Sequence, residues 1–337
     1  MLRTGIAIAG TIAVDEIKRV EKYPNKSELT SINSIGRAMG GAVSNCSVTL
    51  AKIDPSLPIE AISLVGNDDK GEFLRKKLGE YKNIKLTQLK TIGETPFTDV
   101  IMDNDSRTFL YYRGNSHLFN ENVIDFNGLD AEILHIAYIL LLESLDKEDA
   151  KYGTKMAKVL KTAQEYGIKT SIDIVSENSD RYQKIVPPSL KYTNYCIINE
   201  IEAGKSVGVN LREANGSLIK ENIRTVLKRL KELGVKDWVV IHCPEGSFGM
   251  DDENVYSIPS LLLDSKLIKG TVGAGDAYVS GVLYGAIKGL DLPSSMKLGT
   301  AAAASSLFEE GSTSGVKSYE ELQEMLIQYP TREEILI

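Results

Sequence analysis

Gly270–Thr271–Val272–Gly273–Ala274–Gly275–Asp276 runs straight into the apolar stretch AYVSGVLYGAIKG. Small residues at a helix start leave several backbone N–H groups without intrahelical partners, and the helix dipole adds about half a positive charge there. The donors at Gly273, Ala274 and Gly275 can therefore point at one anion. Asp276 follows in the first turn. A carboxylate beside an anion hole repels a phosphate that is merely bound. It makes chemical sense if it takes a proton from an attacking hydroxyl while the N–H groups hold a phosphoryl group in transfer. The alternative is a glycine-rich helix start in which Asp276 only complements the dipole.

Two further stretches carry polar groups where a ligand could reach them. Gly40–Gly41–Ala42–Val43–Ser44–Asn45 leads into the helix-like CSVTLAKI. The glycine pair permits close backbone approach, and Asn45 offers both a donor and an acceptor. A tight strand-to-helix turn explains the same residues without a ligand. Asn199–Glu200–Ile201–Glu202–Ala203 ends the apolar run TNYCIIN. In an open parallel sheet, ligands gather beyond the carboxyl ends of strands. An amide at Asn199 and a carboxylate at Glu202 suit a hydrated Mg²⁺, which needs few protein ligands. They equally suit an N-cap and its capping-box partner.

The elements that must position these residues alternate between strand-like and helix-like runs, the pattern of a largely parallel sheet covered on both faces. Buried strands are expected over 5–9, 59–65, 133–141, 170–174, 195–198 and 238–242, and helices over 43–53, 147–166, 217–233, 274–287 and 293–308. Residues 217–233 show one apolar face of period 3.6, with Gly234 as the stop. Residues 11–35 and 95–112 break the alternation. The second reads as two short β segments joined by Asp103–Asn104–Asp105–Ser106, and the two excursions together suggest a small β lid. A hairpin is expected between 246–250 and 255–258. The chain reads as one α/β domain over 1–337, with its lid at about 11–35 and 95–113.

The 337 residues carry 39 Lys plus Arg against 46 Asp plus Glu, a formal charge of −7 without a basic cluster, which disfavours nucleic-acid binding. Cys46, Cys196 and Cys243 lie far apart, which suits a reducing cytoplasm better than a disulfide framework. No apolar run approaches the ~18 residues of a membrane span. The first residues read as a buried strand in preference to a signal peptide. No GxxxxGK[ST] is present, which excludes a P-loop mechanism, and the late Gly273–Ala274–Gly275 lacks the third glycine of a dinucleotide fingerprint. His117, His135 and His242 lack zinc-hydrolase spacing; His135 and Trp238 are expected in the core.

Taken together, in this order and spacing, the three stretches resemble the ribokinase-like PfkB family of carbohydrate kinases. The glycine pair with Asn45 resembles its N-terminal signature, Gly273–Asp276 its C-terminal one, and NEIEA its Asn-x-x-Glu element. The resemblance implies that Asp15 holds substrate hydroxyls and that Gly40, Gly41 and Asn45 line the sugar pocket. It implies Asp276 as the catalytic base, with the Ala274–Asp276 N–H groups as the anion hole. Asn199, Cys243, Gly246 and Thr271 would serve ATP, with Asn199 and Glu202 near Mg²⁺. Family members usually carry a polar residue at the place of Gly270 and a glycine at the place of Cys243, which leaves K⁺ dependence and the nucleotide preference open. Tyr111–Tyr112–Arg113 resembles the lid motif of keto-deoxy sugar acid kinases, where Arg113 would clamp a carboxylate; a solvated Arg113 is the alternative. The expected activity is ATP-dependent phosphorylation of a sugar hydroxyl in the cytoplasm, by a homodimer formed through the lid. A nucleoside kinase and a non-catalytic sugar-binding sensor are the competing readings.

Overall fold

Apolar residues on both faces of the central strands require cover from both sides, and the fold supplies it. The computed structural model describes residues 3–103 and 106–337. In chain order the strands are β1 (Ile6–Gly10), β2 (Ala13–Val20), β3 (Ile32–Gly40), β4 (Ile59–Val65), β5 (Ile84–Lys85), β6 (Leu89–Thr91), β7 (Phe97–Met102), β8 (Arg107–Tyr112), β9 (Ile133–Ile139), β10 (Glu148–Asp149), β11 (Gly153–Thr154), β12 (Lys169–Ile174), β13 (Tyr195–Asn199), β14 (Trp238–Cys243), β15 (Gly246–Met250) and β16 (Val255–Pro259). The helices are α1 (Ala42–Ile53), α2 (Asp69–Leu78), α3 (Glu143–Asp146), α4 (Lys155–Glu165), α5 (Tyr182–Leu190), α6 (Glu200–Val207), α7 (Lys220–Glu232), α8 (Ala274–Ile287), α9 (Leu292–Ser306) and α10 (Tyr319–Gln328).

The main sheet runs β16-β15-β14-β13-β12-β9-β1-β4-β5, with β6 also on β4. Its strands are parallel from β14 to β5, and β15 and β16 add an antiparallel edge. Side chains alternate along β1: Ala7 and Ala9 enter one core, Ile6 and Ile8 the other. The first core is completed by α4 and α7 through Val159, Leu160, Val226 and Leu230. The second is completed by α1, α8 and α9 through Val48, Leu50, Val282, Leu283 and Met296. Helices α8 and α9 touch almost backbone to backbone. A Cβ on Gly281 would lie 2.7 Å from the Leu298 carbonyl oxygen, so a larger residue there would push the helices apart.

The two excursions form a separate four-stranded sheet in the order β3-β2-β7-β8. Its first hairpin continues past residue 35 to Gly40 and so delivers the chain directly to α1. Residues 104 and 105 of the expected turn lie outside the described residues. The helix expected from 147 starts only at Lys155. Gly153, at φ +87°, closes the small β10–β11 hairpin, and Thr154 then caps α4 by accepting from the Ala157 N–H. Helices α2, α3, α5 and α10 lie outside the helices expected from the sequence. Pro187 and Pro188 lie inside α5, where sequence rules place a break.

Candidate active site

Asp276 sits in the first turn of α8 and is buried. Its N-cap, Gly273, is left-handed at φ +84°, and a Cβ there would lie 2.6 Å from the Ser312 Cβ. Only glycine turns the chain at that spot. Among the described residues, the N–H groups of Gly275 and Asp276 make no hydrogen bond, whereas that of Ala274 reaches the Thr271 carbonyl at 3.4 Å. Gly275 and Asp276 are therefore the open donors, and Ala274 is largely taken. The Asp276 carboxylate accepts from Asn45 Nδ2 on Oδ2 and from Tyr138 Oη on Oδ1, each at 2.8 Å. Ser312 Oγ donates to Asn45 Oδ1 at 2.8 Å and thereby orients the amide. Burial pushes the Asp276 carboxyl above its ordinary range, and the Asn45 and Tyr138 hydrogen bonds pull it back.

The glycine pair has a physical reason on each residue. Gly41, the N-cap of α1, is at φ +80°, and a Cβ would meet the Thr11 carbonyl oxygen at 2.8 Å. A Cβ on Gly40 would lie 2.5 Å from Asp15 Oδ1, so the Asp15 carboxylate rests on bare backbone. Asp15 belongs to β2 of the lid and pairs with Ala38 and Thr98. Burial pushes its carboxyl up to about 6. Lid and main sheet are joined here by one continuous path, from Asp15 over Gly40 and Gly41 to Asn45 and Asp276.

On the other side of the α8 N-terminus lies a cleft of about 480 Å³, lined by Asn199, Cys243, Gly246, Thr271, Ala274 and Gly275 among others. The sequence-selected residues of this side share one concavity. Its far wall is apolar, with Leu261, Leu263, Ile268, Ala303 and Leu307. His242 stacks on Tyr278 at 4.8 Å between ring centres, and burial pushes its imidazole down to about 4, so it stays neutral. The Cys243 thiol donates to the Gly246 carbonyl across the β14–β15 turn, and burial pushes it up to about 12. Arg332 also lines the cleft, carried there by a tail whose backbone bonds to Ser260 and Leu262.

Asn199 and Glu202 form a full capping box on α6. Asn199 Oδ1 accepts from the Glu202 N–H, and Glu202 Oε2 accepts from the Asn199 N–H. Glu202 Oε1 accepts further from Asn199 Nδ2 and Ser176 Oγ, both at 2.7 Å. The capping alternative is thus realised. Asn199 borders the cleft, while the Glu202 carboxylate lies buried behind it. Burial pushes Glu202 up to about 7, and it drives the neighbouring Asp173, also beside Asp276, well above the usual range. No Lys or Arg among the described residues pairs with Asp173, Glu202 or Asp276. The oxygen donors and uncompensated charge at Asn199 and Glu202 fit a hydrated divalent cation reached through water, but not a closed all-protein cage.

Arg113 lies where the sequence left both a carboxylate clamp and a solvated guanidinium open. It is exposed on the lid side and donates to Glu143 Oε2 at 2.7 Å. Tyr138, Asp173, Ser312 and Arg332 escaped the sequence reading. Asp173 alone left a signal, a charged residue inside the buried run TSIDI. His135 is buried as expected and bonds Ser171 through Nδ1, but its Nε2 has no partner among the described residues.

The family model of the pfkB family carbohydrate kinases matches residues 3–318. The chain belongs to the pfkB family. It is an ATP-dependent carbohydrate kinase, as its motifs implied. This pfkB kinase is 27% identical over 327 residues to the nucleoside kinase of Methanocaldococcus jannaschii, covering 95% of this chain and 96% of that one. It is 26% identical over 285 residues to the 5-dehydro-2-deoxygluconokinase of Clostridium beijerinckii, covering 82% and 80%. The solved structure of Arabidopsis thaliana ribokinase complexed with ribose and ATP matches with a TM-score of 0.77 at 17% identity, covering 96% of this pfkB kinase and 99% of that chain. That likeness shows the ribokinase-like fold.

Proposed function

We propose that this kinase phosphorylates a hydroxyl of a small sugar or sugar derivative, with Asp276 as the base. The observation that carries the reading is the meeting, at one carboxylate, of the open N–H groups of α8 and the Asn45 helix start. ATP would lie in the 480 Å³ cleft with its base against the apolar wall and its transferring phosphoryl group at the Gly275 and Asp276 N–H groups. Asp276 accepts the acceptor's proton as its oxygen attacks the phosphorus, and the N–H groups stabilise the negative charge on the phosphoryl oxygens. Asp15 and Asn45 hold the other hydroxyls. The lid excludes water, which would otherwise divert ATP to hydrolysis. Mg²⁺ bound near Asn199 and Glu202 would neutralise triphosphate charge.

The polar groups on the acceptor side are Asp15, Asn45, Tyr138 and Asp276, and Arg113 is already paired with Glu143. The Arg113–Glu143 pair is exposed and readily exchanged for a substrate carboxylate, so a neutral sugar and a sugar acid both fit this set. A nucleoside acceptor is the second reading, favoured by Phe109, Tyr111 and Tyr112 on β8, which offer partly exposed aromatic surface for a base. Exposed Ile32 and Ile35 on the edge strand β3, together with Phe109 and Leu110 on the opposite edge strand, support a dimer through the lid. No helix among the described residues is long and apolar enough to cross a membrane, and we assign the kinase to the cytoplasm. An ADP-release screen over pentoses, hexoses, keto-deoxy sugar acids and nucleosides, with and without K⁺, tests the reading. Turnover on one of these acceptors that is abolished in Asp276→Asn is the expected result; no acceptor-dependent ADP would overturn it.

A further inference from the structure

We propose that Tyr138 positions the base, pinning one oxygen of the Asp276 carboxylate so that the other meets the acceptor hydroxyl. The inference rests on the kinase reading above and goes beyond it. The two oxygens of Asp276 are unequally occupied. Oδ1 accepts from Tyr138 Oη at 2.8 Å and has the Cys46 thiol 3.9 Å away. Among the described residues, Oδ2 accepts from Asn45 alone. A carboxylate oxygen has two acceptor sites, so the less crowded Oδ2 is where a hydroxyl can dock and lose its proton.

Tyr138 reaches this place through a local irregularity of the sheet. Ile136 pairs with Ile172 and Ile139 with Ile174, so Ala137 and Tyr138 together face the single residue Asp173. The extra residue makes a bulge at the carboxyl end of β9. Bulges re-aim side chains and recur beside active sites. The titratable groups around Asp276 are Cys46 on α1, Tyr138 on β9, Asp173 on β12 and, beyond it, Glu202 on α6. Burial and the Asp276 charge push the Tyr138 phenol well above its ordinary range, so it remains a proton donor wherever Asp276 is ionised. A donor to the charged form favours that form. Tyr138 therefore keeps the base deprotonated as well as oriented.

Tyr138→Phe keeps the ring and removes only the hydroxyl. The expected result is a fall in kcat of about 10- to 100-fold, the size of one hydrogen bond to a charged group. Acceptor KM should stay within about twofold. The acid limb of the kcat/KM profile should move up by about one pH unit. Carbon-13 NMR of labelled aspartate carboxyls, with Asp276→Asn for assignment, should show the Asp276 midpoint moving the same way in the unliganded enzyme. An unmoved midpoint and acid limb would overturn the proposal. So would a lower acceptor KM with undiminished kcat, which would make Tyr138 an obstacle in the acceptor's place. If the wild-type enzyme phosphorylates nothing, the kinase reading fails, and the NMR midpoint still decides what Tyr138 does to Asp276.

Discussion

The cleft on the ATP side is walled by Leu261, Ala303 and Leu307 on a buried framework, whereas the acceptor side is covered by strands whose Ile35, Phe109 and Leu110 face solvent. The cleft is held by the backbone-to-backbone packing of α8 on α9 and by the antiparallel edge of the main sheet. The lid is a single sheet tied to α2 at one place by Arg37, which pairs with Asp69 of α2 as well as with Glu16 of β2. On the proposed reading, one side would recognise its ligand through a fixed shape and main-chain donors, which vary little with side-chain identity. The other uses side chains on a thin sheet, where a few substitutions change the acceptor without disturbing the fold. The carboxylate of Asp276 stands on the seam between the two.

The contrast can be broken most severely at that seam. Asp276→Asn should reduce kcat by about 10²–10⁴ while acceptor affinity, read by calorimetry, stays nearly unchanged. A paired test separates the two sides. In Gly40→Ala the new Cβ falls 2.5 Å from Asp15 Oδ1 and should raise acceptor KM by about tenfold, with ATP KM unmoved. In Gly275→Val the side chain enters the cleft beside His242, and ATP KM should rise by about tenfold with acceptor KM unmoved. If both variants move the same constant, the division is wrong.

A smaller effect concerns stability. Glu202 is raised to about 7 in the folded protein, so the native state holds its proton more tightly than the unfolded chain and loses stability as pH rises from the ordinary Glu range to about 7. Buried neutral His135 and His242 act oppositely, costing stability as pH falls below the ordinary histidine value. The difference between variant and wild type cancels the histidines and leaves the Glu202 carboxyl together with its effect on the neighbouring Asp173. The Tm of Glu202→Gln relative to wild type should climb by a few degrees between pH 5 and pH 8, and Mg²⁺ at pH 8 should raise the wild-type Tm more than the variant's. The smallest expected effect is at the lid. The proposed lid dimer should appear in sedimentation of the wild type, and Ile35→Lys with Leu110→Lys should shift it toward monomer at low concentration and leave ATP KM alone.

Strand and helix order was legible because periodicity records burial, and the main sheet is buried on both faces. The predicted 59–65 and 274–287 coincide with β4 and α8. Asp276, the glycine pair and Asn45 were legible because an N-cap at φ +84° and a carboxylate against a bare backbone restrict residue type locally. The role of Asn199 was ambiguous for the same reason: capping and ligand binding ask for the same amide. Residues 147–154 misled because Lys, Glu and Asp suit a helix locally, and only Gly153 diverts the chain.

The sequence alone determined which backbone turns exist and which faces must be buried, since both follow from the residue and its near neighbours. The tertiary structure alone decided which side chains share a site. Tyr138 is 138 residues from Asp276 and a bulge brings it there, while Ser312, 36 residues away, is brought by a loop to Asn45, the carboxylate's other partner. It also decided that Arg113 spends its charge on Glu143 and that Asp173 and Glu202 are buried without a cation. Those outcomes depend on desolvation and distance in space, and neither quantity is written in spacing along the chain.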